Sequence, residues 1–119
     1  MDEALAEIEK AVALEPSSPA ALHDKGVLLS RMGRLPEAVT SLTQALARLD
    51  TPSTRNALGT ALCRMDRCAE AIPHFERAVA AAPNFVDALE NLAQAYAIGG
   101  RSSESEKMTK RAEALKAPR

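Results

Sequence analysis

The chain has 119 residues, of which 46% are hydrophobic and 26% charged, with a formal net charge of -1 and a pI near 6.1. One domain fits that length, and the composition excludes a disordered chain. The near-neutral charge excludes the basic field that nucleic acid or an anionic membrane surface requires.

Aromatic residues make up 3% and Trp is absent, so Ala and Leu carry the apolar share. Both lose little on entering a helix, which predicts an all-α fold. No run approaches the ~20 apolar residues of a bilayer span, and the acidic start MDEALAEIEK is not a signal peptide. A cytoplasmic location is the expectation.

In chain order the patterning predicts seven helices, at 2–15, 19–32, 35–48, 52–65, 69–82, 86–98 and 102–116, joined by two to four residues and therefore antiparallel to their neighbours. The first carries Leu5, Ile8 and Val12 on one stripe without a preceding partner helix. The second opens at Pro19, carries Gly26 and stops at Gly33. The third opens behind Pro36 and carries Ala38, Leu42 and Ala45. The fourth opens at Pro52 and carries Gly59. The fifth carries Ala71, Phe75 and Ala78, with Pro73 near the end of its first turn, where a slightly late helix start is expected. The sixth carries Ala93 and stops at Gly99-Gly100. The seventh replaces the apolar pattern with Ser105 and Thr109 within a charged stretch, and reads as a polar end.

These features recur in register. Glu3-Ala4, Glu37-Ala38, Glu70-Ala71 and Glu104-Ser105 are separated by 34, 33 and 34 residues. Seven residues after each small residue stand Ala11, Ala45, Ala78 and Ala112. Between the members of each pair stand Ile8, Leu42, Phe75 and Thr109, and Gly26, Gly59 and Ala93 share the same offset. Small residues on one helix face let a crossing helix approach closely.

This register, with Pro16 and Pro83 as closing prolines, resembles the tetratricopeptide repeat (TPR). The resemblance implies a right-handed α-solenoid of antiparallel helix pairs over residues 1–119, with a lone second helix at 1–18 and full units at 19–51, 52–85 and 86–119. Three residues depart from the pattern: Arg55 and Lys25 stand at apolar places, and Asp50 at a proline place.

The resemblance also implies a protein-interaction scaffold that holds a peptide segment of a partner protein in a concave groove lined by the first helix of each pair. Helical projection puts His23, Val27, Ser30 and Arg31, then Asn56, Thr60, Cys63 and Arg64, then Glu90, Gln94 and Ala97 on that side, with Asp24, Asp87 and Asn91 at its margin. Asn, Gln and Thr can hydrogen-bond an extended backbone. Arg31 and Arg64 against Asp87 and Glu90 suit a ligand with both acidic and basic groups. A carboxylate clamp for chaperone tails is not expected, because its places hold His23, Val27, Ala57, Asp87 and Asn91, which lack the cations.

No catalytic residue, metal ligand or cofactor is expected. His23 has no partnered nucleophile, and His74 lies on a second helix away from the groove. Cys63 and Cys68 suggest neither a disulfide framework nor a zinc site, and Met32 and Met65 are equivalent packing positions. The Leu5, Ile8 and Val12 stripe implies that the natural chain is longer, or that a second copy covers it in a homodimer through the uncovered N-terminal helix; the first is the preferred account. Two other functions fit: a regulatory or substrate-recognition segment of a larger enzyme, and a self-assembling structural module.

Overall fold

The computed structural model describes residues 2–16 and 18–118. These form seven helices and no strand: α1 (Asp2–Leu14), α2 (Pro19–Arg31), α3 (Leu35–Arg48), α4 (Pro52–Arg64), α5 (Cys68–Ala81), α6 (Val86–Ile98) and α7 (Ser102–Lys116). The fold is the all-α solenoid that the sequence predicts. Helices α2 and α3, α4 and α5, and α6 and α7 pack as close pairs, α3 on α4 and α5 on α6 join the pairs, and α2, α4 and α6 touch in a row.

Local chemistry sets the boundaries. Ser18 Oγ accepts the Ala21 N–H at 3.2 Å and Thr51 Oγ1 accepts the Thr54 N–H at 3.1 Å. Each therefore satisfies a donor orphaned at a helix start, and the following Pro19 and Pro52 have no N–H to orphan.

The turn inside each pair has one solution used three times. Gly33, Asp66 and Gly100 take positive φ of 80°, 61° and 77°. The next N–H in each case, from Arg34, Arg67 or Arg101, returns to the carbonyl of Leu29, Leu62 or Tyr96 at 2.8–2.9 Å. The same arginine then grips the glutamate three residues on with two hydrogen bonds: Arg34 to Glu37, Arg67 to Glu70 and Arg101 to Glu104.

The core follows from the small residues. Ala38, Ala45, Ala71 and Ala78 are wholly buried, and between them Leu42 and Phe75 fill the space within each pair. A Cβ built on Gly26 would lie 2.5 Å from Leu42 Cγ, and one on Gly59 would lie 2.6 Å from Phe75 Cε1. Glycine at these two positions is what admits the large side chain opposite. Burial of each such side chain stabilises the fold by about 1.5–3 kcal/mol.

Three expectations are corrected. The α1 stripe is covered in part: Leu5 is only 8% exposed and packs with Leu28, Leu29 and Ala38, because α1 docks on the pair that follows it, while Ile8 and Val12 stay half-buried. Helix α5 starts early rather than late, at Cys68, so Pro73 lies inside it on the exposed side. A missing N–H is tolerated there without ending the helix.

The third correction concerns the cysteines, which are joined as a Cys63–Cys68 disulfide. A spacing of five looks too short for a structural bridge when read as sequence. The left-handed backbone at Asp66, however, folds the start of α5 against the last turn of α4 and brings the two side chains together. Two of the departures are partners of each other. Arg55 donates to Asp50 through Nε at 2.9 Å and Nη2 at 2.8 Å, so the cation at an apolar place is neutralised by the acid at a proline place. The Arg55 side chain is 11% exposed. Its Nη1 lies 3.0 Å from Nδ1 of His74, which is half-buried, and burial followed by the Arg55 charge depresses the His74 pKa.

Candidate groove across the first helices

The inner row of α2, α4 and α6 carries a ladder of hydrogen bonds between side chains of adjacent pairs. His23 Nδ1 lies 2.9 Å from Thr54 Oγ1, which also accepts from Thr51 Oγ1 at 2.9 Å. Arg64 Nη1 donates to the Ser30 carbonyl at 2.6 Å and to its hydroxyl at 3.1 Å. Asn91 Nδ2 donates to Asn56 Oδ1 at 2.9 Å and reaches Thr60 Oγ1 at 3.4 Å. These bonds span 31 to 35 residues of sequence, one unit of the register.

The structure therefore brings His23, Ser30, Asn56, Thr60, Arg64 and Asn91 onto one face as linked pairs across neighbouring helices. Thr60, Arg64, Asn91 and Gln94 also line one cavity of about 200 Å³ between α4 and α6, with the disulfide in its wall and Ile98, 72% exposed, at its rim. Val27 is half-buried on α2 and Arg31 is exposed in its last turn, both outside that cavity. Glu90 is drawn away towards α7, where Lys116 Nζ donates to it at 3.0 Å across a cavity of about 320 Å³ that Gln94 and Thr109 also line.

Two of the four charges expected to select a ligand thus have intramolecular partners: Arg64 holds Ser30 through one guanidinium nitrogen, and Glu90 holds Lys116. Thr54, Lys116 and Ile98 belong to this surface but were not among the residues projected onto it. Thr54 was legible as the residue three after a capping threonine. Ile98 was legible as a large apolar residue in the last turn before a glycine pair. Lys116 was not, because its reach depends on how α7 crosses α6.

On the other side of the disulfide lies a larger cavity of about 630 Å³, lined by Ile72, Pro73, Glu76, Ile98 and Arg101 with Asp66 at its edge. Close by, Tyr96 donates to Glu76 Oε2 at 2.6 Å beneath the Arg101 guanidinium, which sits 4.4 Å from the ring centre. Burial, then the bond to the Glu76 carboxylate, pushes the Tyr96 pKa up to about 12. Among the described residues no cluster of three or more His, Cys, Asp or Glu is placed to hold a metal ion, and no helix is long and apolar enough to cross a membrane.

With this geometry in place, the comparisons are specific about the architecture. Residues 17–84 match a tetratricopeptide-repeat family profile, and residues 56–117 match a second of the same description. Among solved structures, a crystal structure of MamA superposes with a TM-score of 0.89 at 23% identity, covering 97% of this chain and 68% of that one. MamA residues 41 to the end from Desulfovibrio magneticus RS-1 superpose with a TM-score of 0.89 at 25% identity, covering 96% and 65%. MamA from AMB-1 gives 0.86 at 25% identity, covering 98% and 69%. The chain thus spans about two thirds of the length of these structures. Among curated proteins none matches.

Proposed function

The chain belongs to the tetratricopeptide-repeat family, and on that premise we propose that its α2–α4–α6 face is a groove that binds a peptide segment of a partner protein. Binding is reversible, no bond is made or broken in the ligand, and the cytoplasm is the expected compartment. In this reading residues 1–18 are the second helix of a partial unit, and 19–51, 52–85 and 86–119 are full units.

One observation carries the proposal: Thr60, Cys63, Arg64 and Gln94, projected onto the groove from sequence, and Asn91 from its margin line a single cavity. Its volume of about 200 Å³ lies below the roughly 300 Å³ at which small-molecule and cofactor sites begin, and suits the side chain of a peptide. The hydrogen-bond ladder beneath supports this use, because side chains already tied to a neighbouring helix lose less freedom when a ligand arrives. Arg31 and Arg64 against Asp87 and Glu90 give the groove a cationic and an anionic end, matched by a peptide bearing both charges.

The test is to select binders from a random peptide library and measure their affinity for Arg64→Glu and Glu90→Lys. At least one substitution is expected to weaken binding by about tenfold or more. Unchanged affinity in both removes the groove assignment.

A second reading, association of two copies through α1, rests on Ile8 and Val12, which are half-buried rather than buried. Sedimentation across a concentration series decides it: a mass that stays monomeric at high concentration eliminates the contact.

A further inference from the structure

The Cys63–Cys68 bond is placed asymmetrically. Both cysteines line the 200 Å³ groove cavity and the 630 Å³ outer cavity, and Cys63, in the last turn of α4, is half-buried. Cys68 is the first residue of α5 and only 8% exposed. Cys63 is thus the more exposed of the two residues, while Cys68 sits where a helix begins.

The electrostatics of the two ends differ in the same sense. Unpaired N–H groups at the start of α5 favour negative charge on Cys68, whereas the carbonyls closing α4 disfavour it on Cys63. The better leaving group in disulfide cleavage is the thiol of lower pKa, and the sulfur attacked is the one a nucleophile can reach. Both criteria select the same direction of reaction.

We infer that this disulfide is a site of thiol–disulfide exchange, in which the thiolate of a low-molecular-weight thiol attacks Cys63 Sγ from the groove cavity and Cys68 leaves as the thiolate. The new bond joins the incoming sulfur to Cys63 Sγ, and the bond to Cys68 Sγ breaks with its electron pair on Cys68. A second thiolate attacking the incoming sulfur completes the reduction. The protein disulfide gains two electrons, the two small thiols become one small disulfide, and the protein is left with two thiols. Approach from the groove passes Arg64, which attracts a thiolate, whereas the outer cavity presents the carboxylates of Asp66 and Glu76 along with Arg101. The adduct on Cys63 therefore lies among Thr60, Arg64, Asn91 and Gln94, and occupies the space of a ligand side chain.

The arrangement of arginines makes the test direct. The native protein is exposed briefly to excess 2-mercaptoethanol, quenched with iodoacetamide and digested with trypsin. Cleavage after Arg55, Arg64, Arg67 and Arg77 separates Cys63, on peptide 56–64, from Cys68, on peptide 68–77. The expected product carries mercaptoethanol on peptide 56–64 and carbamidomethyl on peptide 68–77, exceeding the reverse arrangement by about tenfold. An equal or reversed distribution overturns the inference. So does alkylation of both cysteines without added thiol, or a native protein that stays unreacted over the time in which the denatured protein is fully reduced.

Discussion

The first and second helix pairs solve one packing problem with different parts. In α2 and α3 a glycine faces Leu42 and a glycine makes the turn; in α4 and α5 a glycine faces Phe75, an aspartate makes the turn and a disulfide ties its two sides. The third pair differs again, with Ala93 where the others have glycine and Thr109 where they have Leu42 and Phe75. What the register keeps is a small residue on the first helix of each pair; the residue opposite varies, and Thr109 is exposed where Leu42 and Phe75 are buried.

The comparison breaks most sharply at the ring. Phe75, 1% exposed, is expected to cost about 3–5 kcal/mol when replaced by alanine, read by chemical denaturation. On the facing side, Gly59→Ala gains helix propensity but drives a methyl into a rigid ring, for an expected loss of about 1–3 kcal/mol. Gly26→Ala drives its methyl to 2.5 Å from Cγ of the buried Leu42, whose backbone nitrogen lies at 3.3 Å, and is expected to cost about as much as Gly59→Ala. A loss at Gly26 well below that at Gly59 shows that Leu42 moves aside where the ring of Phe75 does not.

The turns are expected to respond with opposite signs. Gly33→Ala puts a Cβ on left-handed backbone and is expected to destabilise by about 1–2 kcal/mol. Asp66→Gly relieves the same conformation and is expected to stabilise by up to about 1 kcal/mol. A loss of stability in Asp66→Gly shows that the aspartate makes a contribution its backbone angle does not reveal.

The junction between the first two pairs carries a smaller effect. Asp50→Ala leaves the Arg55 cation without its acid, for an expected loss of about 1 kcal/mol, the carboxylate being well exposed. Adding Arg55→Leu is expected to recover most of that loss, since an apolar residue at this place needs no partner. The Asp50 pKa is held down mainly by the hydrogen bond from Arg55, so the stability this pair supplies is present above the usual aspartate pKa and is lost as pH falls through the depressed value. A double variant no more stable than Asp50→Ala refutes the pairing.

The gentlest probe uses the third pair, where Tyr96 takes the place held by Leu29 and Leu62. It is the chain's single tyrosine, so ultraviolet titration reports it alone, with an expected midpoint near 12. Glu76→Gln is expected to move that midpoint towards 10. Because the folded pKa is the higher one, the stability this group supplies is complete below pH 10 and disappears as pH rises towards 12.

Much of this was legible in the chain because close helix crossing admits few residues: glycine or alanine at 26, 59 and 93 is a steric demand, and such demands repeat. Arg34, Arg67 and Arg101 repeat at the same interval, each three residues before a glutamate, so the turn clasps were legible too. Arg55 and Asp50 looked like two unrelated departures, since nothing in their spacing says that a helix start folds one back onto the other. The disulfide was hidden for a related reason: it needs the left-handed turn at Asp66, at a residue that does not advertise one. Groove membership followed from helical periodicity, but the partners of Arg64 and Glu90 did not, because long side chains choose among several neighbours only once helix crossings are fixed.

The hydrogen-bond ladder along α2, α4 and α6 never reaches beyond the next pair; its longest bond, Asn91 to Asn56, joins residues 35 apart. Load applied at the chain ends therefore passes through the junctions in series rather than being shared among them. Stretched between two attachments, the molecule behaves as a short spring whose extension is set by its weakest junction. The thinly docked α1 peels away first, and the α4–α5 turn, closed by its covalent tie, pays out no chain between Cys63 and Cys68 until that bond is cut.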